Sequence, residues 1–370
     1  MGAYGRGMGN FVANLVREIA QHPTDQEFIA YVANGDNLLD GALPDWLKTR
    51  PLGAANSIWA EQASLPVAAI RDRLDVLHCP ANTAPIALPR RIKLVLTIHD
   101  VMFMMPECVI PRSSSRYQRL GRSYRRFTVP RAARHACTVV TDSHSSANDI
   151  STYLALPSER IRVVYGAAGN RWLGHVSDDE VARARRTHAA GGRFVLALGG
   201  VDPRKNTARV IEAFALFNKS TGRCQRLIIA GLPNRAVAEY RACAVRAGIA
   251  ENVTFLDFIS ERELAALYHG ADVFLYPSLY EGFGLPVLEA MTAGTPVVTS
   301  RVGSIPEVAR DAAIMVDPLD TRAIADALTR VIDNAGLRHE LIARGRCRAL
   351  CFSWEKATRE LISIYEEALQ

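Results

Sequence analysis

Two glutamates eight residues apart, Glu281 and Glu289, lie in the segment Tyr276-Pro277-Ser278-Leu279-Tyr280-Glu281-Gly282-Phe283-Gly284-Leu285-Pro286-Val287-Leu288-Glu289-Ala290-Met291. Carboxylates at this spacing, one in a glycine-bearing turn and one about a turn into a following helix, can bracket a sugar and a ribose, whose hydroxyls donate well to carboxylate oxygens. The glycines let a ligand approach the backbone, and the N–H groups of the helix start suit a phosphate or diphosphate. Taken alone, the same spacing also describes a strand–turn–helix joint with two solvated glutamates. A second chemical pair is Arg204-Lys205, within Leu198-Gly199-Gly200-Val201-Asp202-Pro203-Arg204-Lys205-Asn206. A guanidinium fork beside an ammonium point charge can clamp two phosphates. As an isolated pair it reads equally as a solvated loop. A third candidate is His99, in Thr97-Ile98-His99-Asp100 after an apolar run.

The elements that must position these groups follow from hydrophobic pattern. Asp272–Tyr276 is an apolar run ending at a proline, the pattern of a buried parallel strand, and the helix begins near Leu285 with Pro286 in its first turn. Further strands are expected at 194–198, 227–230, 253–256, 296–299 and 313–316, alternating with helices. That alternation predicts a doubly wound parallel sheet. The preceding half predicts strands at 28–32, 74–78, 93–98, 137–141 and 161–165, with 34–70 irregular. His99 then sits at a strand's carboxyl end, where open α/β sheets bind ligands. Gly5, Gly7 and Gly9 precede a helical pattern through Val12, Leu15, Val16 and Ile19, so Gly9 is a candidate for facing a diphosphate or an acceptor. A polar stretch over 167–192 reads as the interdomain linker.

The string E-G-F-G-L-P-x-L-E-A-M resembles the signature of the family-4 retaining glycosyltransferases of the GT-B fold, and "P-R-K-N" at 203–206, "T-I-H-D" at 97–100 and Gly303-Ser304-Ile305-Pro306-Glu307-Val308 are similar to other segments of that family. The resemblance implies an α/β protein of two doubly wound, Rossmann-like domains facing a central cleft: 1–170 on the acceptor side, 171–351 binding the nucleotide sugar, and a terminal helix at 352–370 crossing back. It implies transfer of a hexose from a nucleotide-diphosphate sugar, with His99, Arg204, Lys205 and Glu281 acting at the reacting centre. Gly9, Phe258, Ile259, Phe283, Gly284, Leu285 and Glu289 are implied to contact the donor, Phe258 and Ile259 at the nucleobase and Glu289 at the ribose. Relatives carry a hydrophobic strand before the glycine-rich loop, whereas this chain has only Met1 to Tyr4 there, so the first strand is expected to be missing through an upstream start or a truncation. At 166–170 the chain also departs from the family's "N-G-V-D", and no ligand role is carried to those positions.

Composition bounds the remaining readings. The chain has 370 residues, is 49% hydrophobic and 22% charged, and carries a net charge of +6. No apolar run reaches the ~20 residues that span a bilayer. Its seven scattered cysteines form no C-x-x-C pair and read as reduced thiols of a cytoplasmic protein. No D-x-D, H-E-x-x-H or Walker loop occurs, so no metal and no cofactor are expected beyond the donor substrate, for which GDP-mannose is preferred. Between Glu107 and Asp142 eight arginines occur and no acidic residue. A helix over 111–127 puts Arg112, Arg116, Arg119, Arg122 and Arg126 on one face beside Tyr117, Leu120, Tyr124 and Phe127. Such a segment, 112–134, suits the anionic inner face of the cytoplasmic membrane or a polyprenyl-pyrophosphate-linked glycan acceptor, and it suits a solvated face equally. No nucleic-acid module accompanies it. Rival readings are an epimerase or hydrolase of the same fold, or an inactive sugar-nucleotide-binding partner.

Overall fold

A computed structural model describes residues 8–22, 24–32, 43–52, 58–107, 109–111, 116–169, 173–174, 176–222 and 225–370. It divides into two compact units, one made of 1–104, 120–166 and 353–370, the other of 105–119 and 167–352. The segment 105–119, expected with the first domain, thus groups with the second.

In the first unit the strands are β1 (Phe28–Val32), β2 (Leu47–Pro51), β3 (Val76–Cys79), β4 (Lys93–Thr97), β5 (Thr138–Thr141) and β6 (Ile161–Val163). β3 to β6 form a parallel sheet in sequential order, while β1 and β2 pair separately, also in parallel. Among the described residues no strand joins the two sheets. β4 and β5 are buried along nearly their whole length, as strands covered by helices on both faces must be. The 34–70 stretch is more regular than expected. It contains β2 and a helical segment whose π-turn, Ala60–Ser64, leads into Leu65–Arg71. β2 reads Leu-Lys-Thr-Arg-Pro, mostly solvent-facing, so it lacks the apolar alternation that marks a strand.

The last helix, Trp354–Leu369, belongs to this first unit. Ser353 caps it by accepting from the Lys356 backbone N–H, Trp354 meets the edge of Phe11, and the Tyr365 hydroxyl bonds His78 Nδ1 at 2.7 Å. The arginine-rich helix runs Arg116–His135, later than the 111–127 expected, and Arg112 lies outside the described residues. Its arginines do not form a single solvated face. Arg122 and Arg126 both donate to the Phe103 carbonyl, at 3.1 and 2.7 Å, because that loop carbonyl needs a donor. Leu120 and Phe127 stay exposed, whereas Tyr124 turns inward onto Glu61 and Gln62.

The second unit is built on β7 (Phe194–Leu198), β8 (Arg226–Ala230), β9 (Val253–Phe255), β10 (Val273–Tyr276), β11 (Val297–Ser300) and β12 (Ile314–Val316). All pair in parallel in the order β12-β11-β10-β7-β8-β9. Phe214, Phe217, Ile211, Leu328 and Val331 from the flanking helices close on Val195, Leu227 and Leu275 to make its core. The strand order reverses between β7 and β10, and a doubly wound sheet opens its ligand crevice at the carboxyl ends flanking such a point. The polar stretch read as a linker contains a helix, Asp178–Ala189, opened by a reciprocal capping box between Ser177 and Glu180. Its charges are anchors: Arg185 donates to the Gly270 carbonyl, Glu180 pairs with Arg262 and His188 with Glu263.

Candidate active site

The loops after β7 and β10, on either side of the reversal in strand order, carry Arg204-Lys205 and Glu281. In the first loop the Asp202 carboxylate accepts the Arg204 backbone N–H at 3.0 Å and so starts the short turn Pro203–Lys205. Asn206 then takes a left-handed backbone, φ 55°, and its amide spans the Pro277 and Pro318 carbonyls at 2.9 and 2.8 Å. The Arg204 carbonyl accepts from Leu279 N–H at 2.8 Å, stitching the two loops together.

Their side chains converge. Arg204 Nη1 donates to Glu281 Oε2 at 2.8 Å, and Lys205 Nζ lies 3.2 Å from Oε1. The Tyr276 hydroxyl donates to the same Oε1 at 2.7 Å and accepts from Lys205. Glu281 is buried, which excludes its reading as a solvated glutamate. Burial alone would raise its pKa, but the Arg204 and Lys205 charges outweigh it and hold the carboxyl below the usual range. Burial pushes the Lys205 ammonium down, Arg204 adding to it, and pushes the Tyr276 hydroxyl well up.

The turn that presents Glu281 depends on two glycines with positive φ. Gly284, at +99°, precedes the helix Leu285–Ala293, which starts as predicted with Pro286 in its first turn. Gly303, at +59°, lies so close beneath the turn that a Cβ there would stand 2.6 Å from the Glu281 carbonyl oxygen. Ser304 donates to that same carbonyl through both its backbone N–H, at 3.2 Å, and its hydroxyl, at 3.0 Å. Gly303-Ser304-Ile305 therefore holds the turn in place. The helix beyond directs its positive dipole end at the turn.

Glu289 sits in the interior of that helix, buried, with the Tyr268 hydroxyl donating to Oε2 at 3.1 Å. Burial, only partly offset by that bond, drives its pKa up to about 8. The two carboxyls of one turn–helix are thus pushed in opposite directions, Glu281 toward a fixed anion and Glu289 toward a neutral acid. Phe283 is buried edge-on to Phe352, and Leu285 is half-buried at the helix start. Phe258 is exposed and Ile259 half-buried at the carboxyl end of β9, outside the hydrogen-bond network around Glu281.

In the first unit His99 stands just past the carboxyl end of β4, buried. Its Nδ1 lies 2.6 Å from Asp142 Oδ2 and its Nε2 3.0 Å from the Pro80 carbonyl. Burial opposes its charge, but Asp142 more than compensates and raises its pKa above the ordinary imidazole value. Phe11 meets the ring edge-on at 4.9 Å. Gly9 is not in a loop, as the glycine-rich pattern suggested, but in the first turn of the helix Met8–Ile19. The apolar stripe of Phe11, Leu15 and Ile19, all buried, extends the helix back to that point. Gly5 and Gly7 lie outside the described residues.

Three partners escaped the sequence reading: Tyr276, Tyr268 and Asp142. The two tyrosines sit in apolar runs, where an aromatic reads as core. The available signal for Tyr276 was its place at a strand's carboxyl end beside two charged loops. Among the described residues no group of three or more His, Cys, Asp and Glu side chains could hold a metal ion.

Residues 5–167 match the family described as Glycosyltransferase Family 4, and residues 178–348 match Glycosyl transferases group 1. The O-antigen chain mannosyltransferase B of Escherichia coli is 30% identical over 308 residues, 80% of this chain and 76% of that protein. The MMP alpha-(1->4)-mannosyltransferase of Mycolicibacterium hassiacum is 32% identical over 243 residues, 65% of this chain and 56% of that protein. Among solved structures, Anabaena HepE in complex with UDP and glucose superposes with a TM-score of 0.73 at 17% identity, covering 98% of this chain and 96% of that one. WaaG, a glycosyltransferase involved in lipopolysaccharide biosynthesis, gives 0.70 at 17% identity over 97% and 95%. The signature at 281–291, the paired sheets and these likenesses agree: the chain belongs to the family-4 glycosyltransferases of the GT-B fold.

Proposed function

We propose that this glycosyltransferase moves a hexose, mannose by preference, from a nucleotide-diphosphate donor such as GDP-mannose to a glycan or polyprenyl-pyrophosphate-linked acceptor in cell-surface polysaccharide synthesis, with retention of configuration. The observation that carries it is the Arg204–Lys205–Glu281 constellation at the reversal in strand order. As the bond from the anomeric carbon to the diphosphate breaks, charge builds on the leaving oxygens. Arg204, Lys205 and the dipole end of the helix at Gly284-Leu285 stabilise that charge, doing so most in the transition state. In this reading Glu281 aligns the two cations and takes sugar hydroxyls with its remaining lone-pair capacity. Glu289 takes the ribose hydroxyls, Phe258 and Ile259 border the base, Phe283 shapes the turn, and His99 serves the sugar or its phosphate. No metal ion is required for this charge neutralisation. The mannosyltransferase activity of the two curated relatives supports the choice of sugar.

The acceptor side is proposed to work at the cytoplasmic face of the membrane. The helix Arg116–His135 supports this with exposed Leu120 and Phe127 among Arg119, Arg126, Arg131 and Arg134. Among the described residues no helix is long and apolar enough to cross a membrane, so contact would be peripheral. Sedimentation with anionic vesicles at low salt, reversed at high salt, is the expected result. Absence from the vesicles at every salt concentration removes the membrane contact.

The deciding experiment is thermal unfolding with GDP, UDP, dTDP and ADP and their sugars, EDTA present. Ligand at about 100 times its dissociation constant adds ~2.7 kcal/mol, a visible rise in melting temperature. GDP and GDP-mannose are expected to give it, and Glu289→Ala to abolish it. No rise with any nucleotide defeats the assignment of the donor site, and a rise with UDP alone replaces the donor.

A further inference from the structure

Both ring nitrogens of His99 face atoms that can only accept. Asp142 Oδ2 lies 2.6 Å from Nδ1, and the Pro80 carbonyl oxygen lies 3.0 Å from Nε2. A neutral imidazole has one N–H and satisfies one of these; the doubly protonated ring satisfies both. We propose that His99 is a standing imidazolium, that Asp142 is the positioning residue that keeps it so, and that the pair supplies a fixed positive charge for the donor at the carboxyl end of β4. The functional half of this rests on the reading of His99 as a donor contact; the charge state does not.

The backbone beneath the ring is fixed on both sides and the ring has an aromatic neighbour. The His99 backbone N–H donates to Asn82 Oδ1 at 2.7 Å, its carbonyl accepts from Ser146 Oγ at 3.0 Å, and Phe11 closes the open edge. Flipping the ring about its Cβ–Cγ bond would replace both nitrogens by carbons. The other charged or titratable groups acting on it are Asp100, which also favours the cation, and His78.

His78 is the internal control. It lies on β3, the strand paired with β4, and is partly buried. Its nitrogens meet hydroxyls, Thr97 Oγ1 and the Tyr365 hydroxyl, each at 2.7 Å. A hydroxyl can donate to one nitrogen and accept from the other, so a neutral ring is satisfied there, and burial pushes its pKa down to about 3. The two histidines, one on β3 and one just past β4, thus differ because one has a carboxylate and the other has not. Asp142 Oδ1, buried and without a hydrogen-bond partner among the described residues, makes the dependence mutual: that carboxylate needs the cation.

With both N–H groups committed, His99 has no free nitrogen for moving a proton, and its contribution is charge. The test uses the full chain with ¹⁵N-labelled histidine, the His99 signals being identified by their loss in His99→Gln. Wild-type protein is expected to show both His99 nitrogens still protonated at a pH above the ordinary imidazole value. In Asp142→Asn one nitrogen should lose its proton by that pH, sugar transfer should fall roughly tenfold to hundredfold, the size of a lost charge-assisted contact, and the loss should deepen as pH rises. Asp142→Glu should restore part of both. One unprotonated His99 nitrogen in the wild type near neutral pH overturns the charge state, a spectrum that needs no variant to fold and no donor to bind. An intact imidazolium together with wild-type transfer by Asp142→Asn across the pH range overturns the positioning role. Absence of transfer by the wild type condemns the donor reading instead, and the spectrum still decides the charge.

Discussion

Replacing Glu289 with glutamine should make the protein more stable in alkali and change little in acid. The carboxyl is buried inside a helix with one tyrosine hydroxyl donating to it, and burial lifts its pKa from 4.5 to about 8. Between those values the native state keeps a proton that the unfolded chain has released. Its contribution is therefore fully present below the unfolded value, declines steadily as pH rises through the window, and is gone above the folded value. At about 1.4 kcal/mol for each pH unit, the window corresponds to roughly 4–5 kcal/mol, a large share of a domain's net stability. Glutamine keeps the shape and the acceptor for Tyr268 but has no proton to lose. Urea unfolding of both proteins near pH 5 and pH 8.5 measures the difference. The two midpoints should lie close together in acid, and in alkali the wild type should fall well below the variant. Parallel pH profiles would mean that Glu289 titrates as an ordinary carboxylate, and the argument from burial would be wrong.

Two further perturbations probe the turn and its cations. Gly303→Ala should destabilise more than Gly284→Ala in thermal unfolding. Both pay about 1–2 kcal/mol for a left-handed backbone, but the new methyl meets the Glu281 backbone oxygen in the first case and the movable end of Ile305 in the second, each at 2.6 Å. Equal losses would show that the turn yields to Gly303. Tyr276→Phe removes the hydroxyl between Lys205 and Glu281, leaving buried charged groups one partner short, at a cost of about 1–3 kcal/mol. Titration calorimetry should show nucleoside-diphosphate affinity weakened roughly tenfold at that cost, while unchanged affinity would confine Tyr276 to core packing.

Much of the second unit is legible in the sequence, for a physical reason. Its strands are buried on both faces, so they read as continuous apolar runs, and all six are found within one residue of the expected limits. Pro286 and Gly284 mark the helix start because proline tolerates that position and only glycine is at ease at a φ of +99°. Legibility fails where a side chain's partner is remote. Tyr276, Tyr268 and the rest of their strand and helix look alike as apolar residues, and nothing local says that one hydroxyl meets a glutamate five residues on and the other a glutamate twenty-one residues on. The helix Asp178–Ala189 reads as a linker because its fixing contacts run to Gly270, Arg262 and His188's partner Glu263, some eighty residues away. In the arginine helix the pattern locates the charge but not the Phe103 carbonyl to which two of the arginines donate.

The buried carboxylates explain how this chain holds its cations ready. A long, mobile Arg or Lys that must be ordered when the ligand arrives loses side-chain entropy at that moment, up to about 2 kcal/mol each. Here Glu281, steadied by Tyr276, has already fixed Arg204 and Lys205, and Asp142 has already fixed His99. Each carboxylate is nearly closed off from solvent, so each is itself dependent on the cation it holds. The same solution occurs in both units and at equivalent places, just beyond the carboxyl ends of sheet strands. Under the proposed donor reading, a diphosphate arriving at the Arg204-Lys205 loop would meet charges whose positions are set before it binds, which is the condition for stabilising a leaving group in the transition state without rearranging that loop. That reasoning also ranks the residues. Removing a cation removes a contact, whereas removing Glu281 leaves both Arg204 and Lys205 without their buried partner, and removing Asp142 takes from His99 the carboxylate that favours its charge.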